Sequence, residues 1–305
     1  MLTIMDIVTL SIDLFSVVVS SPGHLFVMLV NLQDLINNVK FQLNDQLIFC
    51  ISLFSFVHGI VKICSDFLLC LAMGYITVDG KRYISVLLST ISFCILWYCT
   101  WLSLYFCLKI VNFKQGFYVY LQKNFHRMFP WIHIISTMGS FLASLPVGWD
   151  VTEYSLNSTS CAANQNMFLL MSNGKSLKVI MVVSFVAFLL FFSSSLSIII
   201  SLYRHIRRMK TNMQSFSDTS CDVHVRVTET VAALFAANAL YYLTLLLCAF
   251  LQNSYIWQCV IAIILSLTRA PRPIILVRAN KKLEVHLRQW LHCCACITSS
   301  SDNFE

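Results

Sequence analysis

The sequence is poor in charged residues, glycine and proline. Only 11% of its 305 residues are Asp, Glu, Lys or Arg, whereas about 25% are charged in ordinary soluble domains. This scarcity of charge excludes a water-soluble globular enzyme. The 8 Gly and 5 Pro are too few for a collagen-like chain, and the 23 Phe, 11 Tyr and 6 Trp exclude an intrinsically disordered one.

Long apolar stretches take the place of charge. Residues of the AVILMFWYC set make up 58% of the chain, and its mean hydropathy is +0.74. A bilayer core about 30 Å thick needs about 20 mostly apolar residues per helix. Seven stretches qualify, over residues 7–31, 46–73, 83–109, 128–148, 178–203, 227–251 and 255–277. Because only short loops and a cytoplasmic tail (278–305) remain, the sequence predicts an all-α integral membrane protein with one domain over residues 1–305.

The positions of Lys and Arg predict the orientation of the spans. If the N-terminus lies outside, 14 of them fall on the inner side and 4 on the outer side, as the preference of Lys and Arg for the cytoplasm requires. Asn157 begins the one N-x-[ST] sequon, which falls in an outer loop where glycosylation occurs. The net charge of +7 therefore reflects topology, and nucleic acid binding is not expected.

The 13 cysteines predict neither a disulfide scaffold nor a metal site. Most of them lie inside apolar stretches, where cysteine behaves as a small apolar residue. The closest cluster, Cys293, Cys294 and Cys296, has no second ligand pair at zinc spacing. No metal, no cofactor and no catalytic residue is predicted, since no nucleophile or acid/base pair is assembled on facing spans.

Two stretches at the inner ends of spans three and five carry a family resemblance. Residues 102–113, LSLYFCLKIVNF, resemble the LSxFYFLKIANF signature of the type 2 (bitter) taste receptors, and residues 201–210, SLYRHIRRMK, resemble the family's SLWRHxxQMQ. Shorter matches lie at Asp218 to His224, Tyr241 to Leu243 and Asn280 to Leu283, with weaker support at Leu29 to Asn31 and Asp45-Gln46. The chain thus resembles a divergent member of this family.

The resemblance implies a seven-transmembrane-helix G-protein-coupled receptor bundle in the plasma membrane. It implies a small, largely apolar bitter agonist and a heterotrimeric G protein of the gustducin-like or inhibitory class as partners. Four positions depart from the family pattern. The GN of span one is Gly23-His24, the Arg of span two is Ser55, the Pro of span five is Ala187, and the HS of span seven is Arg272-Pro273.

Spans three and six supply a predicted ligand site. Ser85, Ser89 and Ser92 lie at i, i+4 and i+7, so that three hydroxyls share one face of span three. The resemblance places Leu88, Ser92 and Tyr241 where bitter receptors hold agonists. The predicted ligand-binding residues are Leu88, Ser89, Ser92, Phe93, Tyr241 and Leu245. The alternative is that the serines bond to carbonyls of their own helix and the tyrosine only packs.

Charged residues inside spans are rare and by default functional. Lys62 and Asp66 lie at i, i+4 on span two, and Asp13 lies at a similar depth on span one. We expect Lys62 to form an ion pair with Asp66 or Asp13; the alternative is that one of these acids binds a cationic ligand.

The cytoplasmic side supplies a predicted G-protein surface at the ends of spans three and five. Its residues are Lys109, Arg204, His205, Arg208 and Lys210, which can also serve only as positive-inside anchors. After span seven, residues 281–291 predict a short amphipathic helix in the membrane interface. Cys293, Cys294 and Cys296 follow it and are candidates for palmitoylation.

Two other functions stay open at this point. A vomeronasal type 1 pheromone receptor shares the seven-span plan, although the LKIVNF run favours the taste receptors. A transporter or channel is the alternative from another class. Against it, seven spans do not divide into two equal repeats, and the embedded charges form no continuous file.

Overall fold

A computed structural model describes residues 4–37, 42–71, 77–111, 116–157, 175–212, 232–244, 247 and 255–301. These residues form helices and turns, with no strand among them. The helices are α1 (Ile4–Ile36), α2 (Leu43–Leu71), α3 (Val78–Ile110), α4 (Gly116–Asn157), α5 (Lys175–Asn212), α6 (Ala232–Thr244), α7 (Tyr255–Leu267), α8 (Arg272–Ala279) and α9 (Lys281–Ser301).

The predicted membrane helix bundle is confirmed. Six segments are long and apolar enough to cross a bilayer: Ile7–Ile36, Leu43–Leu68, Val78–Ile110, Tyr118–Asp150, Leu177–Ser201 and Cys259–Ala279. They match six of the seven predicted spans, and the described part of the predicted sixth span is the shorter apolar helix α6. Several helices continue beyond their apolar stretch; α4 begins 12 residues before the predicted start of its span at residue 128. Hydropathy detects only the apolar, membrane-spanning part of a helix.

Helix α3 is the centre of the bundle. Within its apolar stretch 67% of the residues are buried, against about a third in the other spans, because α3 packs against α2, α4 and α5. Large apolar side chains of the outer helices, such as Phe15, Trp131 and Val182, are exposed. In an integral membrane protein these exposed side chains face lipid rather than water.

Polar side chains join α3 to α4. The Tyr98 hydroxyl lies 2.6 Å from His133 Nδ1, and Trp101 Nε1 donates to Ser136 Oγ at 2.8 Å. Buried hydrogen bonds of this kind hold membrane helices together, because lipid offers the same groups no partner.

The seventh span is interrupted, whereas the sequence predicted one continuous span over residues 255–277. Helix α7 ends at Leu267, a turn follows over residues 268–271, and α8 begins at Arg272. Pro271 and Pro273 have no N–H to donate to carbonyls one turn earlier. The turn is instead closed by shorter bonds, including Arg272 N–H to the Arg269 carbonyl at 3.2 Å. Pro271 and Pro273 are the sequence feature from which the interruption could have been predicted.

Helix α9 follows span seven as predicted, but it is longer than predicted. It continues through Cys293, Cys294 and Cys296 to Ser301, since residues 281–301 contain no glycine or proline to end it. Leu283 is fully buried, whereas Trp290 on the same helix is exposed.

A polar network fixes α9 to the C-terminal end of α1 and the N-terminal end of α2. Asn280 Nδ2 donates to Asp45 Oδ1 at 2.6 Å, and Asn280 Oδ1 accepts from the Lys282 backbone N–H at 3.1 Å. The Lys282 ammonium forms an ion pair with Asp34. Two short motifs far apart in the sequence, Asp45-Gln46 and Asn280 to Leu283, thus meet in space.

We expect Asp45→Ala to lower the free energy of unfolding by about 1–3 kcal/mol, because the buried Asn280 amide would lose its partner. The measurement is the thermal unfolding midpoint of the purified protein in detergent. The exchanged pair Asp45→Asn with Asn280→Asp should recover most of the loss, since the donor and acceptor are only swapped. The control is Asn124→Ala, whose amide donates to the Tyr120 carbonyl of its own helix and to no other group among the described residues. Equal losses in Asp45→Ala and Asn124→Ala would contradict the role of the network.

Candidate functional site

A cavity of about 240 Å³ lies between the helices, with walls from α1, α2, α3, α5, α6, α7 and α8. Its apolar wall includes Val17, Leu88, Leu96, Ile180 and Leu265. Polar and charged side chains form the rest of the lining. An apolar cavity with a few placed polar groups is the usual form of a small-molecule site.

Five of the six predicted ligand residues line this one cavity. They are Leu88, Ser89, Ser92, Phe93 and Tyr241. Leu245 lies outside the described residues. Phe93 also packs with Val147 and Ile180 in a buried cluster between α3, α4 and α5. Its ring therefore also contributes to the packing of these helices. The structure therefore brings together a set of residues chosen from two spans 150 residues apart.

The three hydroxyls of the α3 face differ in what they bind. Ser85 donates to the Lys81 carbonyl at 2.8 Å, and Ser92 to the Leu88 carbonyl at 2.9 Å. Ser92 Oγ also lies 3.0 Å from His58 Nε2. No group among the described residues hydrogen-bonds to the side chain of Ser89 or Tyr241. The local-bonding alternative thus describes Ser85 and Ser92, while the hydroxyls of Ser89 and Tyr241 are available to a ligand.

An ion-pair network lines one part of the cavity, and it includes the predicted pairs of Lys62. The Lys62 ammonium lies 2.6 Å from Asp66 Oδ1 and 3.5 Å from Asp13 Oδ2. Asp13 Oδ1 also lies 3.1 Å from Arg269 Nη1 and accepts a hydrogen bond from the Ser266 hydroxyl. Asp13 is therefore the centre of a network that joins α1, α2 and the turn after α7.

Sequence reasoning did not select several polar residues that also line the cavity. They include His24, Ser55, His58, Arg269 and Arg272. A charged residue inside an apolar span is by default functional, and this rule, applied to Arg269 and Arg272, would have found them. Their nearness to spans one and two could not be derived from sequence, since it depends on the turn at residues 268–271.

The predicted cytoplasmic surface is described only in part. Lys109 lies in the last turn of α3, with its ammonium 5.7 Å from the centre of the Tyr105 ring. Arg204 is exposed near the C-terminal end of α5. The side chains of His205, Arg208 and Lys210 lie outside the described part, as do those of Asn157, Cys293, Cys294 and Cys296.

The described residues form no metal site. Among the described residues, no three His, Cys, Asp or Glu side chains come together as a metal site needs.

Comparison with known proteins relates the chain to one family. The family model for taste receptor protein (TAS2R) matches residues 1–295. The chain is 25% identical over 221 residues to taste receptor type 2 member 40 of Gallus gallus, covering 69% of each. It is 30% identical over 208 residues to member 41 of Pan troglodytes, covering 64% of this chain and 66% of that relative. With member 104 of Mus musculus the identity is 25% over 320 aligned positions, 96% of this chain and 99% of that relative.

We expect Asp13→Asn to destabilise the protein by about 3–5 kcal/mol, because Lys62 and Arg269 would keep their charges inside the bundle with one carboxylate fewer. The measurement is the thermal unfolding midpoint, together with surface expression. The matched control is Arg288→Gln, which breaks the Glu284 pair on α9 where the Arg288 side chain is 69% exposed; such a pair contributes about 0–1 kcal/mol. If both variants melted alike, the network would have no special structural role.

Proposed function

The chain belongs to the TAS2R taste receptor family, and from this membership we propose that its central cavity binds a small bitter molecule. The family resemblance of the motifs in spans three and five is confirmed. The protein is a multi-pass G-protein-coupled bitter taste receptor of the cell membrane and not an enzyme. The matches give no support to a vomeronasal type 1 receptor or to a transporter or channel. We further propose that residues 1–305 form a single domain with the N-terminus outside.

The observation that carries the binding site is the agreement between α3 and α6. Leu88, Ser89, Ser92 and Phe93 on α3 line the same cavity as Tyr241 on α6. The apolar wall suits a largely apolar ligand, and the unbonded hydroxyls of Ser89 and Tyr241 can orient its polar groups. Leu245, four residues after Tyr241 in the sequence, is proposed as a further lining residue.

Activation is a shift in population between two arrangements of the helices. A ligand that contacts both α3 and α6 favours whichever arrangement it binds more tightly. In the active arrangement a cytoplasmic cavity opens between the inner ends of the helices, and the G protein binds there. Binding at the two sites is thermodynamically coupled, so each partner raises the affinity for the other by the same factor.

The G protein is proposed to dock on the basic inner ends of α3 and α5. The proposed contact residues are Lys109, Arg204, His205, Arg208 and Lys210, and the proposed partner is a gustducin-like or inhibitory-class G protein. Exposed Arg204 and the inner position of Lys109 suit this role. The same side chains anchor the helices at the inner membrane surface, so docking needs no additional basic patch.

The function is tested by calcium imaging of cells that express the chain with a gustducin-tailed G protein and receive a broad panel of bitter compounds. We expect at least one saturable response that disappears when the G protein is omitted. Untransfected cells and a surface-expressed unrelated receptor are the controls. An ion flux that persists without the G protein would contradict the receptor mechanism, and silence across the panel at normal surface expression would contradict a bitter ligand.

With an agonist found, Ser89→Ala and Tyr241→Phe are expected to raise its half-maximal concentration by about threefold to tenfold, since a hydrogen bond contributes about 0.5–1.5 kcal/mol. The matched control is Ser193→Ala, because the exposed Ser193 hydroxyl donates to the Leu190 carbonyl of its own helix and lies outside the cavity. A Ser92→Ala change should act more weakly than Ser89→Ala, since Ser92 is already bonded within the protein. Unchanged potency in both Ser89→Ala and Tyr241→Phe would remove them from the ligand site.

Two covalent modifications are proposed, glycosylation of Asn157 at the outer end of α4 and palmitoylation among Cys293, Cys294 and Cys296. Enzymatic deglycosylation should lower the apparent mass of the wild type and leave Asn157→Gln unchanged. Hydroxylamine should release acyl groups from the wild type, and a variant with all three cysteines changed to Ser should release fewer. An unshifted wild-type band, or equal acyl release, would contradict the respective modification.

A further inference from the structure

One cation of the cavity, Arg272, has no counter-ion among the residues that the structure describes. The charged groups that line it are Asp13, Asp66, Lys62, Arg269 and Arg272. The two carboxylates are paired with Lys62 and Arg269. No carboxylate in the described part of the chain lies within salt-bridge distance of Arg272. The cavity is therefore left with one unbalanced positive charge, which is energetically unfavourable inside a bilayer.

The backbone fixes where this charge lies. Pro273, the residue after Arg272, packs directly on Gly23 of α1, so closely that a Cβ at Gly23 would lie 2.7 Å from Pro273 Cβ. This approach brings the first turn of α8 against α1 at His24. Arg272 lines the cavity together with His24, His58 and Tyr241. It is thus held at the inner part of the cavity, deeper than the network around Asp13.

Unsatisfied polar atoms surround the same place. His24 is 2% exposed, and its Nδ1 has no hydrogen-bond partner among the described residues. Ser55 Oγ is buried and likewise has no partner there. Within the described residues, no group hydrogen-bonds to the hydroxyl of Tyr241, which lines the same cavity. Buried polar groups without partners are unfavourable and rare in native structures, so their grouping around an unpaired guanidinium points to a polar ligand.

We propose that Arg272, together with His24, Ser55 and Tyr241, forms an anion subsite, and that agonists of this receptor include small aromatic carboxylates and sulfonates. The proposal rests on the cavity being the agonist site. The planar guanidinium binds a carboxylate through two parallel hydrogen bonds. The hydroxyls of Ser55 and Tyr241 can donate to the same anion, while Leu88, Leu96 and Leu265 pack on its apolar ring. The network around Asp13 keeps both carboxylates of the cavity neutralised, so they do not repel the ligand.

The test is direct binding to the purified full-length receptor in detergent, independent of signalling. The probes are cinnamate, 2-naphthoate and naphthalene-2-sulfonate, each compared with its neutral amide. Ligand binding to the folded state raises the thermal unfolding midpoint in a concentration-dependent way, from which the dissociation constant follows. We expect at least one anion to bind the wild type about tenfold more tightly than its amide. Equal affinities of all three pairs would overturn the proposal.

Substitutions of Arg272 test whether this residue causes the preference for anions over their neutral amides. Arg272→Gln should weaken the anions about tenfold or more and leave the amides unchanged. Arg272→Lys retains the charge but lacks the forked donor geometry, so it should fold and weaken the anions severalfold more than the amides. The control is Arg278→Gln, on the same helix but exposed and outside the cavity. No selective loss in either Arg272 variant would overturn the assignment.

Sodium chloride titrated alone distinguishes the organic anion from an inorganic one. Chloride should neither reproduce the stabilisation nor displace the carboxylates. If it did both, the subsite would be a chloride site rather than a site for the anionic group of an agonist, and the proposal would fail. Calcium imaging separates this proposal from the receptor function. Responses to neutral compounds without any preference for anions would retain the function and reject the subsite. Binding of anions that requires Arg272, without any G-protein response, would retain the subsite and reject the receptor function.

Discussion

The constraint on which this structure depends is that a charge inside a bilayer needs a counter-charge, because lipid supplies none. Asp13 meets this constraint by contacting Lys62 on α2 and Arg269 after α7. Because its partners come from two other helices, neutralisation also holds α1, α2 and the seventh span together. A buried pair contributes little net stability compared with apolar packing, but breaking it is unfavourable. The arrangement therefore specifies which helices are neighbours.

Uncharged polar groups at the centre of the bundle are under a similar constraint, because lipid offers them no hydrogen-bond partner. Helix α3 reaches α4 through Tyr98 and Trp101, and it reaches α5 through Ser103, which lies 2.9 Å from both Ser194 and Ser195. With these bonds satisfied within the protein, the outer surfaces of the helices can stay apolar and face lipid. In the cavity, the side chains of Ser89, Tyr241 and Arg272 have no hydrogen-bond partner among the described residues. A binding site is the part of such a protein in which polar groups are left for a ligand.

Three positions that depart from the family pattern meet in this cavity. His24, Ser55 and Arg272 come from spans one, two and seven, and all three line it. Where the family resemblance places an arginine on span two, this chain has a serine, and a guanidinium enters from span seven instead. Seen along the sequence these are unrelated substitutions; in the structure they are neighbours. Such a concerted difference changes the charge distribution of a pocket while the helix bundle around it stays the same.

Much of this protein follows from the sequence alone. Long apolar stretches determine membrane helices because a bilayer offers backbone groups no partners, and the ends of α3 and α5 identify the family. The i, i+4, i+7 spacing placed Ser85, Ser89 and Ser92 on one face because helix geometry is local. Tertiary structure alone decided which of their hydroxyls are free, which partner Asp13 has besides Lys62, and that Arg272 lies beside His24. These facts depend on contacts between residues up to 256 positions apart, and no local pattern encodes the distance between two helices.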